Sequence, residues 1–310
     1  MSYSIKSIRK HFAEQGVFYT DEKLARMLAD IVSADGNVVD VYDPTCGNGN
    51  LLAVFPDDVE KFGQEINPEQ ADEARQRLVN SHIATGDTLK EPAFRDRKFR
   101  HIVANYPFST KWEPAEDERW NDAPVLPPPS KADYAFLLHI ISMLADDGVA
   151  AVLGFPGILY RGNREGKIRE WMCRRNLIDS VTYIEGGYFE DTSISTVLIV
   201  FRKNKKSTDI IFSDHETGKK VTARFEDVVA NGFNLSASGY IPFEEQKKEC
   251  DPIQLEINIR NSLLHQLENH LKLASEFAPL HELFGLPKMP PISEFIKDIK
   301  RIVSIYEPLE

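Results

Sequence analysis

The residues Asn105-Tyr106-Pro107-Phe108 have the types needed for chemistry on an amino group carried by an aromatic base. Such an amino group is a poor nucleophile, because its lone pair is delocalised into the ring. The side-chain oxygen of Asn105 and the backbone carbonyl of Tyr106 can each accept one of its N–H bonds, drawing density onto nitrogen and fixing the direction of attack. Phe108 adds a flat face on which a base stacks once it has left a duplex. Taken alone, the four residues equally describe a turn with a buried Phe. Their position favours chemistry: His101-Ile102-Val103-Ala104 reads as a strand, which puts them at the carboxyl edge of a sheet, where open α/β folds place their sites. The scheme needs no metal and no covalent nucleophile.

A second set lies upstream. Asp43-Pro44-Thr45-Cys46-Gly47-Asn48-Gly49-Asn50 follows a predicted strand and precedes Leu51-Leu52-Ala53-Val54-Phe55, so a glycine turn is expected to open onto a helix. Two glycines alone also suit an ordinary strand-to-helix turn. A dinucleotide site would want a third glycine, and Asp43 would repel phosphate. A cationic ligand without phosphate fits better, and S-adenosylmethionine is one. Glu65, followed by Ile66, closes the next predicted strand, where a carboxylate can accept both ribose hydroxyls. Gly86-Asp87-Thr88 follows His82-Ile83-Ala84-Thr85 and sets another acid at a strand end, to bond the adenine amino group of the cofactor or simply to face solvent.

The elements that must position these residues are legible between about Asn37 and Val200, where short β-branched runs alternate with helical patterns. Predicted strands include 38–42, 61–65, 101–104 and 149–153, and predicted helices run over 69–79 and 134–144. The fold class is α/β, a doubly wound, Rossmann-like sheet. The runs 178–184 and 195–201 are joined too closely for a helical crossover and predict an antiparallel pair. A small strand at 209–212 and a helical tail follow, notably 253–277 and 292–306. There, Leu263, Leu264, Leu267, Leu271 and Leu273 could form one apolar stripe, packed either on the parent domain or on a partner.

Composition sets outer limits. At 310 residues and 42% hydrophobic content, the chain can bury one substantial core with an appendage, or two modest domains. It shows no membrane-length apolar run and opens on no signal peptide, so a soluble, cytoplasmic protein is expected. Cys46, Cys173 and Cys250 are scattered and lack histidines at zinc spacing, which suggests reduced thiols and no metal site. A formal net charge of −11 argues against a chain that wraps nucleic acid unaided.

Taken in order, these motifs resemble the modification (M) subunit of type I restriction-modification systems, an N6-adenine DNA methyltransferase family with the gamma-type motif order. Gly16-Val17-Phe18-Tyr19-Thr20 resembles the family's cofactor-contacting segment. Residues 155–162, 167–169 and 176–181 are similar to a run typical of these subunits, and 210–214, 233–235 and 240–241 to the pattern after the core, so the likeness spans about 10–243.

The resemblance implies a mostly parallel seven-stranded sheet with an antiparallel edge strand. It implies a methyltransferase domain over 1–205 with a short helical arm at 1–15, and a C-terminal extension over 206–310. S-adenosylmethionine is implied as cofactor and double-stranded DNA as substrate. The implied partners are a specificity subunit, met by the tail helices, and a restriction subunit. Val17, Phe18, Tyr19, Thr20, the 43–50 turn, Glu65, Ile66, Asp87, Thr88 and Asn105 become cofactor-binding candidates. The loop from Ser109-Thr110-Lys111-Trp112 through Trp120 to Pro127-Pro128-Pro129 occupies the place of one that often meets DNA.

Two departures stand out. Tyr106 replaces the family's usual first proline, and 15 residues precede Gly16 where full-length members carry a helical domain, so a short form is expected. Glutamine-amide methylation of a protein, and a non-catalytic partner-binding subunit on the same fold, are the alternative readings.

Overall fold

The computed structural model describes residues 21–186, 195–241, 257, 259–266, 269 and 297. Contacts divide the chain into two units, 1–243 and 244–310. The first unit is built on a nine-stranded sheet in the order β3-β2-β1-β4-β5-β7-β6-β8-β9. Its strands are β1 (Asp40–Asp43), β2 (Glu60–Glu65), β3 (Ser81–Thr85), β4 (Phe99–Asn105), β5 (Leu144–Gly154), β6 (Ile178–Ile184), β7 (Thr196–Arg202), β8 (Ile210–Asp214) and β9 (Lys220–Ala223).

The helices are α1 (Glu22–Ser33), α2 (Pro68–Arg77), α3 (Asp133–Met143), α4 (Asn163–Arg174) and α5 (Phe225–Ala230). Local chemistry starts them. The Asp21 carboxylate accepts the Lys23 N–H ahead of α1, and the Asn67 side chain accepts those of Glu69 and Gln70 ahead of α2, with Pro68 at its first position. Helix α3 is apolar nearly all round and accordingly buried nearly all round.

Alternation along the central strands decides which helix covers which face. Ile102 and Ala104 of β4, with Ala150 and Val152 of β5, join the core built on α3 and α4. Val103, Val149 and Ala151 point the other way, into the core closed by Leu24, Leu28 and Val32 of α1. Strand β1 pairs in parallel with β2 on one side and β4 on the other, so chain order reverses there and a crevice opens beyond the carboxyl ends.

Three features differ from expectation. The antiparallel strand β7 sits inside the sheet, between β5 and β6, and the antiparallel edge strand is β9. The count rises from seven to nine because β8, in the stretch expected to open the extension, pairs in parallel with β6 and brings β9 with it. Thirdly, 51–55 forms turns instead of a helix: Ala53 N–H reaches the Gly49 carbonyl, Phe55 N–H reaches that of Leu52, and Pro56 follows, with β2 starting at Glu60. Too few residues remain there for a second turn.

Residues 259–266 are helical; Leu263 is half-buried and Leu264 exposed, while Leu267, Leu271 and Leu273 lie outside the described residues. The same holds for the arm 1–15 and for Cys250; Cys46 and Cys173 are free, buried thiols. Among the described residues, no helix is long and apolar enough to cross a membrane.

Candidate active site

Four adjacent parallel strands end on one cavity. Asp43 is the last residue of β1, Glu65 of β2 and Asn105 of β4, and Asp87 follows two residues after β3. All four line a cavity of about 850 Å³, at the upper end of the range for small-molecule sites. Pro44, Thr45, Cys46, Gly47, Asn48, Asn50, Ile66, Thr88 and Pro107 stand on the same wall. Gly49, Tyr106 and Phe108 do not line it, and Val17, Phe18, Tyr19 and Thr20 lie outside the described residues.

The glycine turn is held by the acid beside it. One Glu65 carboxylate oxygen accepts the Gly47 N–H at 2.9 Å and the other the Asn67 N–H at 2.8 Å. Each keeps further acceptor capacity for a ligand hydroxyl. Gly47 has φ of +54°, a left-handed conformation that favours glycine. Gly63, in mid-strand, is required for another reason: a Cβ there would come within 2.7 Å of the Cys46 sulfur and 2.8 Å of Ile83 Cδ1. Cys46 N–H, in turn, is bonded to the Gln64 carbonyl. The turn therefore lies directly on β2.

Burial pushes the Asp43 carboxyl up to about 7, and the nearby Glu65 charge adds to this, while the Thr45 N–H works in the opposite direction. A buried acid at that value is poised for a cationic ligand, which restores the charge that burial disfavours. Two buried oxygens on the cavity wall, Thr45 Oγ1 and Gln70 Oε1, have no hydrogen-bond partner among the described residues. Acceptors for cationic and hydroxyl donors are thus present. The donor set fits S-adenosylmethionine.

The insert 106–132 between β4 and α3 also reaches the cavity. Ala132 N–H reaches the Thr110 carbonyl at 2.7 Å, and Trp112 donates its peptide N–H to Pro129 and its indole N–H to Pro128. Thr110, Lys111, Trp112, Glu113, Pro129 and Ser130 consequently face the cavity. Lys90 and Glu113 form an ion pair at 2.8 Å, linking the Asp87 segment to the insert. Asp133 accepts the Ser109 N–H at 3.3 Å, and Arg161 donates to the Ser109 hydroxyl and to Glu165. The residue after the tetrapeptide, with φ of +55°, is held by charged groups that are themselves buried or half-buried.

Phe108 is half-buried, its ring edge-on to that of Tyr106. Gln64, Gln70 and Phe136 are cavity residues that the sequence reading passed over. Gln70 alone carried a signal, in the spacing Asn67-x-x-Gln70 of a helix start.

The family model described as N-6 DNA Methylase matches residues 3–266. The chain belongs to the N-6 DNA methylase family. It is 34% identical over 227 residues to the type I restriction enzyme MpnII methylase subunit of Mycoplasma pneumoniae, covering 64% of this chain and 42% of that one. To the type I restriction enzyme MjaIX methylase subunit of Methanocaldococcus jannaschii it is 28% identical, over 61% of this chain and 38% of that one. The solved type I restriction-modification system methyltransferase subunit of Streptococcus thermophilus superposes with a TM-score of 0.68 at 29% identity, covering 73% of this chain and 59% of that one. The chain thus spans about two fifths of the length of those two relatives, and its sheet is that of a methyltransferase fold.

Proposed function

We propose that this chain transfers the methyl group of S-adenosylmethionine to the N6 amino group of an adenine flipped out of double-stranded DNA, as the modification subunit of a restriction-modification system. The observation that carries the reading is the convergence of Asp43, Glu65, Asp87 and Asn105 on one cavity. Family membership and the neighbouring acceptors support it.

In this reading Glu65 takes the ribose hydroxyls, Asp87 the adenine amino group, and Asp43 with the 44–50 turn the charged end of the cofactor. Ile66 and Thr88 complete the wall, and Val17, Phe18, Tyr19 and Thr20 complete the set. The cofactor supplies a methyl carbon made electrophilic by a positively charged sulfur. The Asn105 side-chain oxygen and the Tyr106 carbonyl each accept one N–H of the target amino group, directing its lone pair outward. Tyr106 needs only its backbone for this; Asn105 and Pro107 on either side of it line the cavity. Phe108 supplies the stacking face for the base.

Sequence choice is assigned to a specificity subunit that meets the tail helices, with a restriction subunit as a further partner and the cytoplasm as the place of action. With a net charge of −11, the chain gains little from phosphate contacts alone. The test is transfer of radiolabelled methyl from S-adenosylmethionine, with and without a specificity subunit. Label in N6-methyladenine of duplex DNA is expected. Label on protein glutamine alone would overturn the DNA reading.

A further inference from the structure

Arg119, in the insert, has its side chain almost wholly buried, and all five of its N–H donors are engaged. Nε and one Nη2 hydrogen hold the two carboxylate oxygens of Asp117, both at 2.8 Å. The other Nη2 hydrogen bonds the Leu89 carbonyl at 2.7 Å. Nη1 bonds the Thr88 carbonyl at 2.9 Å and His139 Nδ1 at 3.0 Å. The guanidinium also lies over the Trp120 ring, 4.6 Å from its centroid. Thus a residue of the insert holds the two carbonyls that directly follow Asp87.

The contacts continue inward with a fixed direction. A guanidinium only donates, so His139 Nδ1 accepts and, in the neutral ring that burial enforces, Nε2 carries the hydrogen. Nε2 therefore donates to the Tyr42 hydroxyl at 3.1 Å, and separately Thr88 Oγ1 donates to the Pro44 carbonyl at 2.7 Å. Arg119 on the Thr88 carbonyl and the Thr88 hydroxyl on the Pro44 carbonyl thus link the insert to the glycine turn that begins at Asp43. These groups are buried or nearly so, and moving the insert would leave several of them unpaired.

We infer that Arg119 is a positioning residue that couples the insert to the cofactor wall, so that filling the cofactor cavity orders the insert and ordering the insert tightens the cofactor. The two effects are reciprocal by linkage. The inference rests on the cofactor reading of the cavity. It adds that the target side and the cofactor side are joined by one guanidinium, for which lysine, with three donors around a point charge, is no substitute.

The test is amide hydrogen exchange on the full chain with and without S-adenosylhomocysteine. The N–H groups of Asn121 and Ala123, bonded to the carbonyls of Glu118 and Trp120, belong to the insert but do not line the cavity. In the wild type, ligand is expected to slow exchange at both. In Arg119→Lys, ligand should bind about tenfold more weakly, a change of the size usual between coupled sites, and the slowing at Asn121 and Ala123 should vanish. Unchanged affinity and unchanged slowing in Arg119→Lys would overturn the inference. If that variant does not fold, the wild-type experiment still decides: ligand bound without slowing at Asn121 and Ala123 overturns the coupling and leaves the cofactor reading intact. Failure of the wild type to bind the ligand removes the cofactor reading, and the coupling with it.

Discussion

The ring of Tyr106 lies flat on that of Phe136, with centroids 5.2 Å apart and planes 16° from parallel. Gly154 makes the space for it, since a Cβ there would stand 3.2 Å from the Tyr106 hydroxyl. The residue that takes the place of the family's usual proline is therefore a core residue, and rigidity that a proline ring would give the backbone comes here from packing. Its hydroxyl is buried without a hydrogen-bond partner among the described residues. Tyr106→Phe should accordingly raise stability by about 1 kcal/mol, whereas Tyr106→Ala should lower it by about 3–5 kcal/mol. Urea unfolding of the two variants checks both signs.

Asn105→Ala should slow methyl transfer about 10²–10³-fold, the cost of removing one polar group aimed at a reacting centre. Single-turnover transfer to duplex DNA measures this. An unchanged rate would remove Asn105 from the mechanism.

Asp43 makes the ligand-free protein sensitive to pH. Its carboxyl is pushed from 3.8 up to about 7 by burial, so between these values the folded chain holds a proton that the unfolded chain has released. The stabilising effect is full below the lower value and is lost as pH rises through the upper one. Asp43→Asn should abolish this decline, read from unfolding at pH 5 and pH 8. By the same logic, affinity for a cationic ligand should rise with pH through about 7 in the wild type relative to Asp43→Asn, as titration calorimetry would show.

Gly63→Ala adds one methyl against the Cys46 sulfur and Ile83. Overpacking of this kind costs about 1–3 kcal/mol, and here the turn that carries Gly47 must move to relieve it. Lower stability together with weaker S-adenosylhomocysteine binding is expected. A loss of stability without a change in binding would show that the turn adjusts independently of β2.

Much of the site was legible because it follows from strand ends. Asp43, Glu65, Asp87 and Asn105 each close or follow a short predicted strand, and parallel strands on both sides of a switch point bring such ends together. The place of β7 was not legible: its pairing with β6 could be read, but insertion beside β5 depends on which strand edge is open. The turns at 51–55 were misread as a helix because an apolar run has no length signal of its own until β2 begins at Glu60.

The sequence by itself determined the α/β class, the acids and the amide at the strand ends, and the family, because these depend on local pattern and on motifs contiguous in the chain. Only the tertiary structure decided that Tyr106 belongs to the core, that Gly63 must lack a side chain, and that Arg119 reaches the carbonyls of Thr88 and Leu89. Each of these depends on atoms that come within bonding or contact distance across about 17–31 positions of sequence. Packing and hydrogen bonding act on distance in space, which no local pattern encodes.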